Sequence, residues 1–298
     1  MNQFKGAGVA IVTPFRNDGS LDFASLGNLV EHLIQNHADY LVVLGTTGES
    51  VTLNKEEKRA VVDFVIEKNN GRIPIIMGMG GNNTHEIVNQ IKNNSMDGID
   101  ALLSVAPYYN KPNQKGLFQH YKTIATASPV PIILYNVPGR TGSNILPDTT
   151  LELAHKTDNI IGIKEASGNL EAIARIARDK PEGFEVISGD DALIIPIISL
   201  GGSGVISVLA NAFPAEVSDI VSQCLKNKFK KARGRFFQFL ELIELLFQDG
   251  NPAGIKAVLH QKQFISNALR LPLTPVSGST YNRIAKVLEE IQAARIPS

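Results

Sequence analysis

A lysine at the end of an apolar segment is the side chain in this sequence with the clearest chemical use. Lys164 closes the run 160–163, whose β-branched residues predict a strand. A lysine buried at a strand end is costly unless its amine is paired or neutral. Desolvation lowers the pKa of a lysine, and a neutral amine can attack a carbonyl carbon to form a Schiff base. An ion pair with Glu165 or another carboxylate is the competing interpretation, although alternation along the strand turns Glu165 to the opposite face.

Polar side chains follow other apolar runs of the same kind. They are Thr46, Thr47 and Glu49 after the second run, Tyr108 and Tyr109 after the fourth, and Tyr135 and Arg140 at the end of the fifth. A tyrosine can carry protons to and from an imine, and hydroxyl groups can hold a small carboxylate. An arginine can bind a second carboxylate through two parallel hydrogen bonds. Each residue alone has a structural explanation in a turn, in packing or in a surface ion pair, but their shared position after the strands favours covalent amine catalysis.

Eight short apolar runs alternate with segments of helical periodicity and place these residues. The runs are 8–15, 40–45, 74–80, 101–106, 130–137, 160–167, 184–188 and 204–208. Nearly continuous apolar character is typical of parallel strands that are buried on both faces. Eight such units predict an α/β fold, a (β/α)8 TIM barrel, whose active site lies at the C-terminal ends of the strands. A doubly wound open sheet is the alternative, and the lack of a Gly-x-Gly-x-x-Gly turn after the first run weakens it.

The pattern changes after residue 225. Apolar residues at helical spacing occur over 236–247, 255–269 and 281–291, with no strand signal between them. We therefore expect a catalytic barrel over 1–225 and a C-terminal helical region over 226–298 with about three helices. This extension would cover the flank of the barrel or meet a partner subunit.

The composition limits the classes of function. The 298 residues carry 29 basic and 29 acidic side chains, so no basic surface favours nucleic acid or an anionic membrane. No apolar run has the length of a membrane span, and the N-terminus does not resemble a signal peptide. The single cysteine, Cys224, excludes an internal disulfide and is expected to be packed. The histidines show no metal-binding spacing, so we expect no metal. The lack of a possible internal disulfide fits a reducing, cytoplasmic location.

Four motifs in chain order resemble the dihydrodipicolinate synthase family of class I aldolases. They are Gly-Thr-Thr-Gly-Glu-Ser at 45–50, Pro-Tyr-Tyr-Asn at 107–110, Tyr-Asn-Val-Pro-Gly-Arg-Thr-Gly at 135–142 and Gly-Ile-Lys-Glu-Ala-Ser at 162–167. The resemblance implies a lyase that condenses pyruvate with L-aspartate 4-semialdehyde to give 4-hydroxy-tetrahydrodipicolinate, in the diaminopimelate and lysine pathway. It also implies a homotetramer, arranged as a dimer of dimers, that needs no cofactor.

The same resemblance implies roles for the catalytic residues. Lys164 would form the Schiff base with pyruvate, and Tyr135 would be the central proton carrier. Thr46 and Tyr109 would complete a proton relay, with Tyr109 reaching in from a neighbouring subunit.

Substrate-binding roles are implied in the same way. Thr47 would hold the pyruvate carboxylate, and Arg140 would bind the carboxylate of the semialdehyde. Gly189 and Ile206 match positions that line the pyruvate site. Arg140 separates this family from the related N-acetylneuraminate lyases, which lack the Gly-Arg-Thr-Gly motif at this point.

Some family members are inhibited by lysine at a dimer interface, and the matching residues are present here. They are Ser50, Asn82, Glu86 and Tyr108. However, Lys55 and Lys58 replace histidines of well-inhibited bacterial members, and Val51 replaces a small residue. Each added cation would repel a lysine ammonium by roughly 1 kcal/mol at about 4 Å in water. We therefore expect weak or absent inhibition by lysine, and micromolar inhibition in a turnover assay would contradict this.

Two other functions stay open from the sequence. One is a different pyruvate-dependent aldolase, such as N-acetylneuraminate lyase or a 2-keto-3-deoxy sugar acid aldolase. The other is a non-catalytic barrel that only binds small carboxylates or a partner, which the complete set of candidate catalytic residues disfavours.

Overall fold

Eight parallel strands close into a barrel in chain order, with the first strand hydrogen-bonded to the eighth. The computed structural model describes residues 3–293. The strands are β1 Gly6–Ala10, β2 Tyr40–Val43, β3 Ile75–Gly78, β4 Ala101–Val105, β5 Ile132–Asn136, β6 Ile160–Glu165, β7 Glu185–Ser188 and β8 Gly204–Ser207. The predicted (β/α)8 barrel of the α/β class is therefore confirmed.

Helices cover the outside of the barrel between successive strands. They are α1 Phe23–Gln35, α2 Lys55–Asn69, α3 Thr84–Asn93, α4 Gln114–Ala127, α5 Pro138–Thr141, α6 Pro147–Lys156, α7 Leu170–Asp179, α8 Ile194–Ser199 and α9 Pro214–Leu225. Short 3₁₀ turns at Ser50–Thr52, Asp191–Leu193 and Leu209–Asn211 follow β2, β7 and β8. None of the helices within residues 3–293 combines the length and the apolar character that a membrane span requires.

The C-terminal region has more helices than the sequence predicted. They are α10 Phe229–Phe236, α11 Leu240–Gln248, α12 Ala253–Gln261 and α13 Gly278–Ala293, with a 3₁₀ turn at Phe237–Phe239. The periodic apolar signal of α10 is weak because basic residues make up half of its eight positions. The predicted stretch 255–269 is helical only as far as Gln261. The C-terminal helical extension itself is confirmed.

An asparagine determines where β1 ends. The first strand was predicted over 8–15, but it begins at Gly6 and ends at Ala10. The Val12 N–H leaves the sheet and donates to Asn211 Oδ1 over 3.1 Å, while Asn211 Nδ2 donates to the Ala10 carbonyl over 2.8 Å. Asn211 thus ties the end of β1 to the turn after β8 and closes the barrel at its functional end.

Aromatic packing fills the opposite end of the barrel. Tyr40 is fully buried, and a Cβ atom at its register partner Gly8 would lie only 2.0 Å from the Tyr40 ring. The Phe4 ring packs edge-on against Tyr40, with 5.7 Å between the ring centres. A glycine is therefore required at position 8.

Candidate active site

Lys164 and Tyr135 lie side by side at the C-terminal ends of β6 and β5, where they are register partners. The Lys164 Nζ atom is 4.3 Å from the centre of the Tyr135 ring, and both residues are buried. Within residues 3–293, no carboxylate forms an ion pair with Lys164. The structure therefore brings together the amine and the tyrosine that the sequence paired, without the ion pair of the competing interpretation.

Glu165 points away from the lysine amine. Its Oε1 atom accepts a hydrogen bond from Asn136 Nδ2 over 2.8 Å, and its Oε2 atom accepts one from Ser167 Oγ over 2.6 Å. Burial raises the pKa of this carboxyl, although the two hydrogen bonds oppose the shift. The alternation argument is confirmed, because Glu165 holds the ends of β5 and β6 together instead of pairing with Lys164.

Gly189 directly follows β7, and Ile206 lies on β8. A Cβ atom at Gly189 would lie 3.0 Å from Lys164 Cε and 2.8 Å from Ala166 Cβ, so a larger residue would displace the lysine chain. Ile206 is buried and packs in the same interior cluster as Tyr135. Gly189 therefore lies against the Lys164 side chain, and Ile206 shares an interior cluster with Tyr135. That the two residues line a pyruvate site stays a prediction from the resemblance.

The residues 44–49 after β2 form a tight turn, the strand-two loop. The Glu49 N–H donates to the Thr46 carbonyl over 3.1 Å, and the Thr13 hydroxyl donates to the Gly48 carbonyl over 2.7 Å. Thr46 is half-buried and Thr47 is buried. The Thr47 Oγ1 atom accepts a hydrogen bond from Asn251 Nδ2 over 3.0 Å. Hydrogen bonds from other segments of the same chain thus hold the strand-two loop in place.

The residues 106–113 after β4, the strand-four loop, are held differently. Asn82 Nδ2 donates to the Tyr108 carbonyl over 3.2 Å, and Asn110 Nδ2 donates to the Asn82 carbonyl over 2.9 Å. These bonds fix the backbone, but Tyr109 is 89% exposed and has a positive φ of 72°. Within a single chain, the Tyr109 ring is therefore surrounded by solvent and lies apart from the buried Tyr135.

Arg140 lies on the short helix α5, directly after β5. Its side chain is exposed, and it takes part in no ion pair within residues 3–293. The chain on either side is anchored, because Asn136 Nδ2 donates to Asn144 Oδ1 over 2.9 Å and Ser143 Oγ donates to the Pro107 carbonyl over 2.5 Å. A rigid loop therefore presents a guanidinium that is free to bind a carboxylate.

The arrangement suits imine chemistry more than metal chemistry. A buried amine lies against a tyrosine, with a threonine pair after β2 and a free guanidinium after β5. The described residues include no cluster of three or more histidine, cysteine, aspartate or glutamate side chains that could hold a metal ion. A sequence model described as the dihydrodipicolinate synthetase family matches residues 3–291, nearly the whole chain. The chain belongs to this family.

Relatives of known name support the family assignment. A 4-hydroxy-tetrahydrodipicolinate synthase of Parabacteroides distasonis is 52% identical, over 96% of this chain and 97% of the relative. The crystal structure of dihydrodipicolinate synthase from Thermotoga maritima is 40% identical, with a TM-score of 0.95 over 97% of this chain and 99% of that one. A monomeric dihydrodipicolinate synthase variant has the same identity and TM-score, over 97% of each chain.

The four positions for which the resemblance predicts a lysine site are Ser50, Asn82, Glu86 and Tyr108. Asn82 is bonded to the Tyr108 backbone, and Tyr108 itself is 39% exposed. Glu86 accepts a hydrogen bond from Gln90 on its own helix, and Ser50 opens the 3₁₀ turn after β2. The neighbouring Val51 is 82% exposed, so this surface is open to solvent in the single chain.

Sequence reasoning missed the buried charges behind the strand-two loop. The Lys256 Nζ atom lies 2.5 Å from Glu49 Oε1, and both side chains are fully buried. Lys256 also donates to the Ala268 carbonyl over 2.9 Å and lies 4.2 Å from the centre of the Phe15 ring. Desolvation lowers its pKa to about 8, although Glu49 opposes this shift. No local pattern marked this residue, because the sequence of α12 indicates only a packed helix that contains one lysine.

Arg270 completes this set of charges from the segment after α12. Its guanidinium donates two hydrogen bonds to Glu57, over 2.7 and 2.6 Å, and others to the Gly19 and Thr52 carbonyls. The backbone N–H of Arg270 donates to Glu49 Oε2 over 3.2 Å. Glu49, which the sequence grouped with the other strand-end residues, therefore faces the C-terminal helices and anchors the loop.

Proposed function

We propose that this chain condenses pyruvate with L-aspartate 4-semialdehyde through a Schiff base on Lys164, giving 4-hydroxy-tetrahydrodipicolinate for lysine biosynthesis. The observation that carries the proposal is the buried Lys164 amine, free of any carboxylate within residues 3–293 and 4.3 Å from the Tyr135 ring centre. Relatives named for this activity, up to 52% identical, support it over N-acetylneuraminate lyase, a sugar acid aldolase or a non-catalytic barrel.

The chemistry needs a neutral amine at the start and proton transfers thereafter. Lys164 attacks the keto carbon of pyruvate, water leaves, and a protonated imine forms. The imine nitrogen withdraws electrons, so the methyl carbon loses a proton and becomes an enamine. That carbon attacks the aldehyde of the semialdehyde, and a new C–C bond and a hydroxyl group result. The substrate amine then attacks the imine carbon, which closes the ring and releases Lys164.

Tyr135 is placed to move these protons. We infer that its phenol delivers the proton that the departing water needs and later removes the proton from the methyl carbon. Thr46 and Tyr109 extend this path as a proton relay. Because Tyr109 is 89% exposed in the single chain, its hydroxyl serves a site in a neighbouring subunit. We propose a homotetramer built as a dimer of dimers, as the resemblance implies, in which the dimer completes each site. The exposed Tyr109 supports the dimer contact.

The two carboxylates have separate binding groups in this proposal. The Thr47 hydroxyl holds the carboxylate of pyruvate, while Gly189 and Ile206 shape the space around its methyl group. Arg140 binds the carboxylate of the semialdehyde from the anchored loop after β5. The imine itself supplies the electron withdrawal, so we propose that the reaction requires no metal or organic cofactor.

The location, the response to lysine and the division of the chain are also proposed from the sequence. We propose a cytoplasmic enzyme with weak or absent inhibition by lysine. Lys55 and Lys58 would repel a lysine ammonium, and Val51 replaces a small residue. The division into a catalytic barrel over 1–225 and a helical region over 226–298 also stays a proposal. The buried contacts from Asn251, Lys256 and Arg270 to the barrel argue that the two regions fold as one unit.

Borohydride trapping tests the proposed function directly. The chain is incubated with pyruvate, reduced with borohydride and digested, and the peptides are analysed by mass spectrometry. We expect a reduced pyruvate adduct on the peptide that holds Lys164, and none on that peptide when pyruvate is omitted or Lys164 is replaced by alanine. The trapped enzyme should no longer condense pyruvate with the semialdehyde. An unmodified Lys164 would exclude the covalent mechanism, and faster cleavage of N-acetylneuraminate would favour the alternative aldolase.

A further inference from the structure

Asn251, in the turn between α11 and α12, reaches the active site from the C-terminal region. Its side chain is buried, and its amide nitrogen donates to Thr47 Oγ1 over 3.0 Å. The two residues are 204 positions apart in the chain. The C-terminal helices therefore contact a residue that the proposed function assigns to substrate binding.

The direction of this hydrogen bond decides what the Thr47 hydroxyl can do. A threonine hydroxyl has one proton to donate and two lone pairs to accept with. Because Asn251 donates to Oγ1, Thr47 keeps its own proton for another acceptor. An ionised carboxylate only accepts, and a hydrogen bond to an ionised group is stronger than one between neutral groups.

The amide oxygen of Asn251, Oδ1, does not favour a side-chain amide turned by 180°, with Oδ1 facing Thr47. Asn251 Oδ1 is buried and has no hydrogen-bond partner within residues 3–293. If the amide were turned over, Thr47 would give its proton to Oδ1, and the amide N–H groups would become the unpaired ones. Asn251 would gain nothing by the reversal, while Thr47 would lose the only donor that its side chain can offer to a ligand.

The ion pair between Lys256 and Glu49 helps to hold Asn251 beside Thr47. Lys256 lies on α12, which begins two residues after Asn251, and its ion pair with Glu49 is fully buried. One segment of the C-terminal region thus contacts both Thr47 and Glu49 of the strand-two loop. Two separate buried contacts set the distance and the angle between the amide and the hydroxyl.

We propose that Asn251 is a positioning residue that reserves the hydroxyl proton of Thr47 for the carboxylate of pyruvate. The inference rests on the proposed function, because it assigns that carboxylate to Thr47. Asn251 itself contacts no reacting atom, so its replacement should weaken pyruvate binding more than it slows turnover at saturation.

A double-mutant cycle tests this. Asn251→Asp is made in the wild type and in Thr47→Val, and the pyruvate concentration that gives half-maximal borohydride adduct on Lys164 is measured, along with KM and kcat. The aspartate keeps the shape of the side chain but accepts the Thr47 proton. Its charge also repels pyruvate, and the Thr47→Val background measures that repulsion alone. We expect the rise in half-saturating pyruvate to be about tenfold greater when Thr47 is present, a difference of about 1.4 kcal/mol.

Equal shifts in the two backgrounds, or no shift in either, would overturn the proposal. Asn251→Ala provides a second cycle if the aspartate variant does not fold, and it should show a smaller rise that also requires Thr47. Asn69→Asp is the matched control. Asn69 is a buried asparagine that is hydrogen-bonded to the backbone of Ile73 before β3. This control should lower thermal stability and leave the half-saturating pyruvate concentration unchanged.

The wild-type protein separates this test from that of the proposed function. An absent adduct on wild-type Lys164 would exclude the proposed function. An adduct in the wild type together with equal shifts in the cycle would exclude only the role of Asn251.

Discussion

The strand-two loop and the strand-four loop carry candidate active-site residues at the same end of the barrel, yet the chain secures only one of them completely. Behind the first loop, Glu49 and Lys256 form a fully buried ion pair, and Thr47 is buried beside Asn251. The second loop has hydrogen bonds along its backbone, but Tyr109 is 89% exposed. A single chain therefore surrounds Thr47 completely, whereas it leaves the Tyr109 side chain in solvent.

Both loops contain backbone conformations that are unusual for residues other than glycine. Glu49 has a φ of 50°, and Tyr109 has a φ of 72°. Such conformations persist when the surrounding structure fixes them, and they cluster at functional sites. For Glu49 the surroundings are the buried cations of the same chain. For Tyr109 the single chain offers only backbone hydrogen bonds, which is consistent with a partner subunit that contacts the side chain.

The largest difference in stability between changes at the two loops should appear when the buried ion pair of Glu49 and Lys256 is broken. Lys256→Met leaves the buried Glu49 carboxylate without its ion-pair partner, and we expect the free energy of unfolding to fall by about 3–5 kcal/mol in urea titrations. Adding Glu49→Gln should restore much of this loss, because the isolated charge is removed. The matched change at the strand-four loop, Lys111→Met, should alter stability by less than about 0.5 kcal/mol, since Lys111 is exposed. Equal losses for Lys256→Met and Lys111→Met would contradict the comparison.

The second effect is a pH dependence of stability that comes from His120, on the helix α4 that follows the strand-four loop. His120 on α4 is 5% exposed and its Nδ1 atom lies 2.8 Å from the Thr84 hydroxyl. Burial lowers its pKa from 6.5 to about 4. The unfolded chain therefore binds this proton first as the pH falls, and the stability that neutral His120 contributes above pH 6.5 decreases between pH 6.5 and 4.

Urea titrations of the wild type and His120→Gln between pH 7 and pH 4 measure this contribution. The difference in unfolding free energy between the two proteins should change by roughly 3 kcal/mol over this range, with the wild type losing more on acidification. Parallel pH profiles would show that α4 does not depend on a neutral histidine.

A third prediction separates stability from activity at the exposed tyrosine. Tyr109→Phe removes only a hydroxyl that the single chain leaves in solvent, so the thermal midpoint should not change. If this hydroxyl belongs to the proton relay of a neighbouring subunit, kcat should fall by about 10²-fold, or about 2.7 kcal/mol. Mixing Tyr109→Phe with the inactive Lys164→Ala variant should restore part of the activity, because a mixed dimer contains one site with both groups. The same kcat as in the wild type would place Tyr109 outside the mechanism.

The sequence predicted the barrel and the residues at its strand ends because both depend on local patterns. An apolar run that ends in a lysine identifies Lys164, and the residues after the other runs identify Thr47 and Tyr135. Asn251 and Lys256 could not be found in this way. Their partners are 204 and 207 positions distant, and the helical pattern around Lys256 indicates only that a helix packs there. The exposure of Tyr109 likewise depends on how the finished loop is oriented.

The smallest effect should come from Arg270, which supports the strand-two loop at its edge. Arg270→Lys keeps the positive charge near Glu57 but loses the paired hydrogen bonds to that carboxylate and those to the Gly19 and Thr52 carbonyls. We expect a loss of about 1 kcal/mol, since the ion pair is only partly exposed and backbone carbonyls lose their donors. Arg72→Lys is the control, because Arg72 makes the same kinds of bonds, two to Glu31 and two to the Lys68 and Asn69 carbonyls. Its ion pair is more exposed than that of Arg270, so water can replace the lost bonds more readily. Its urea midpoint should hardly move. If the two variants lose equal stability, Arg270 acts as an ordinary surface residue, and the support of the strand-two loop is confined to Glu49, Lys256 and Asn251.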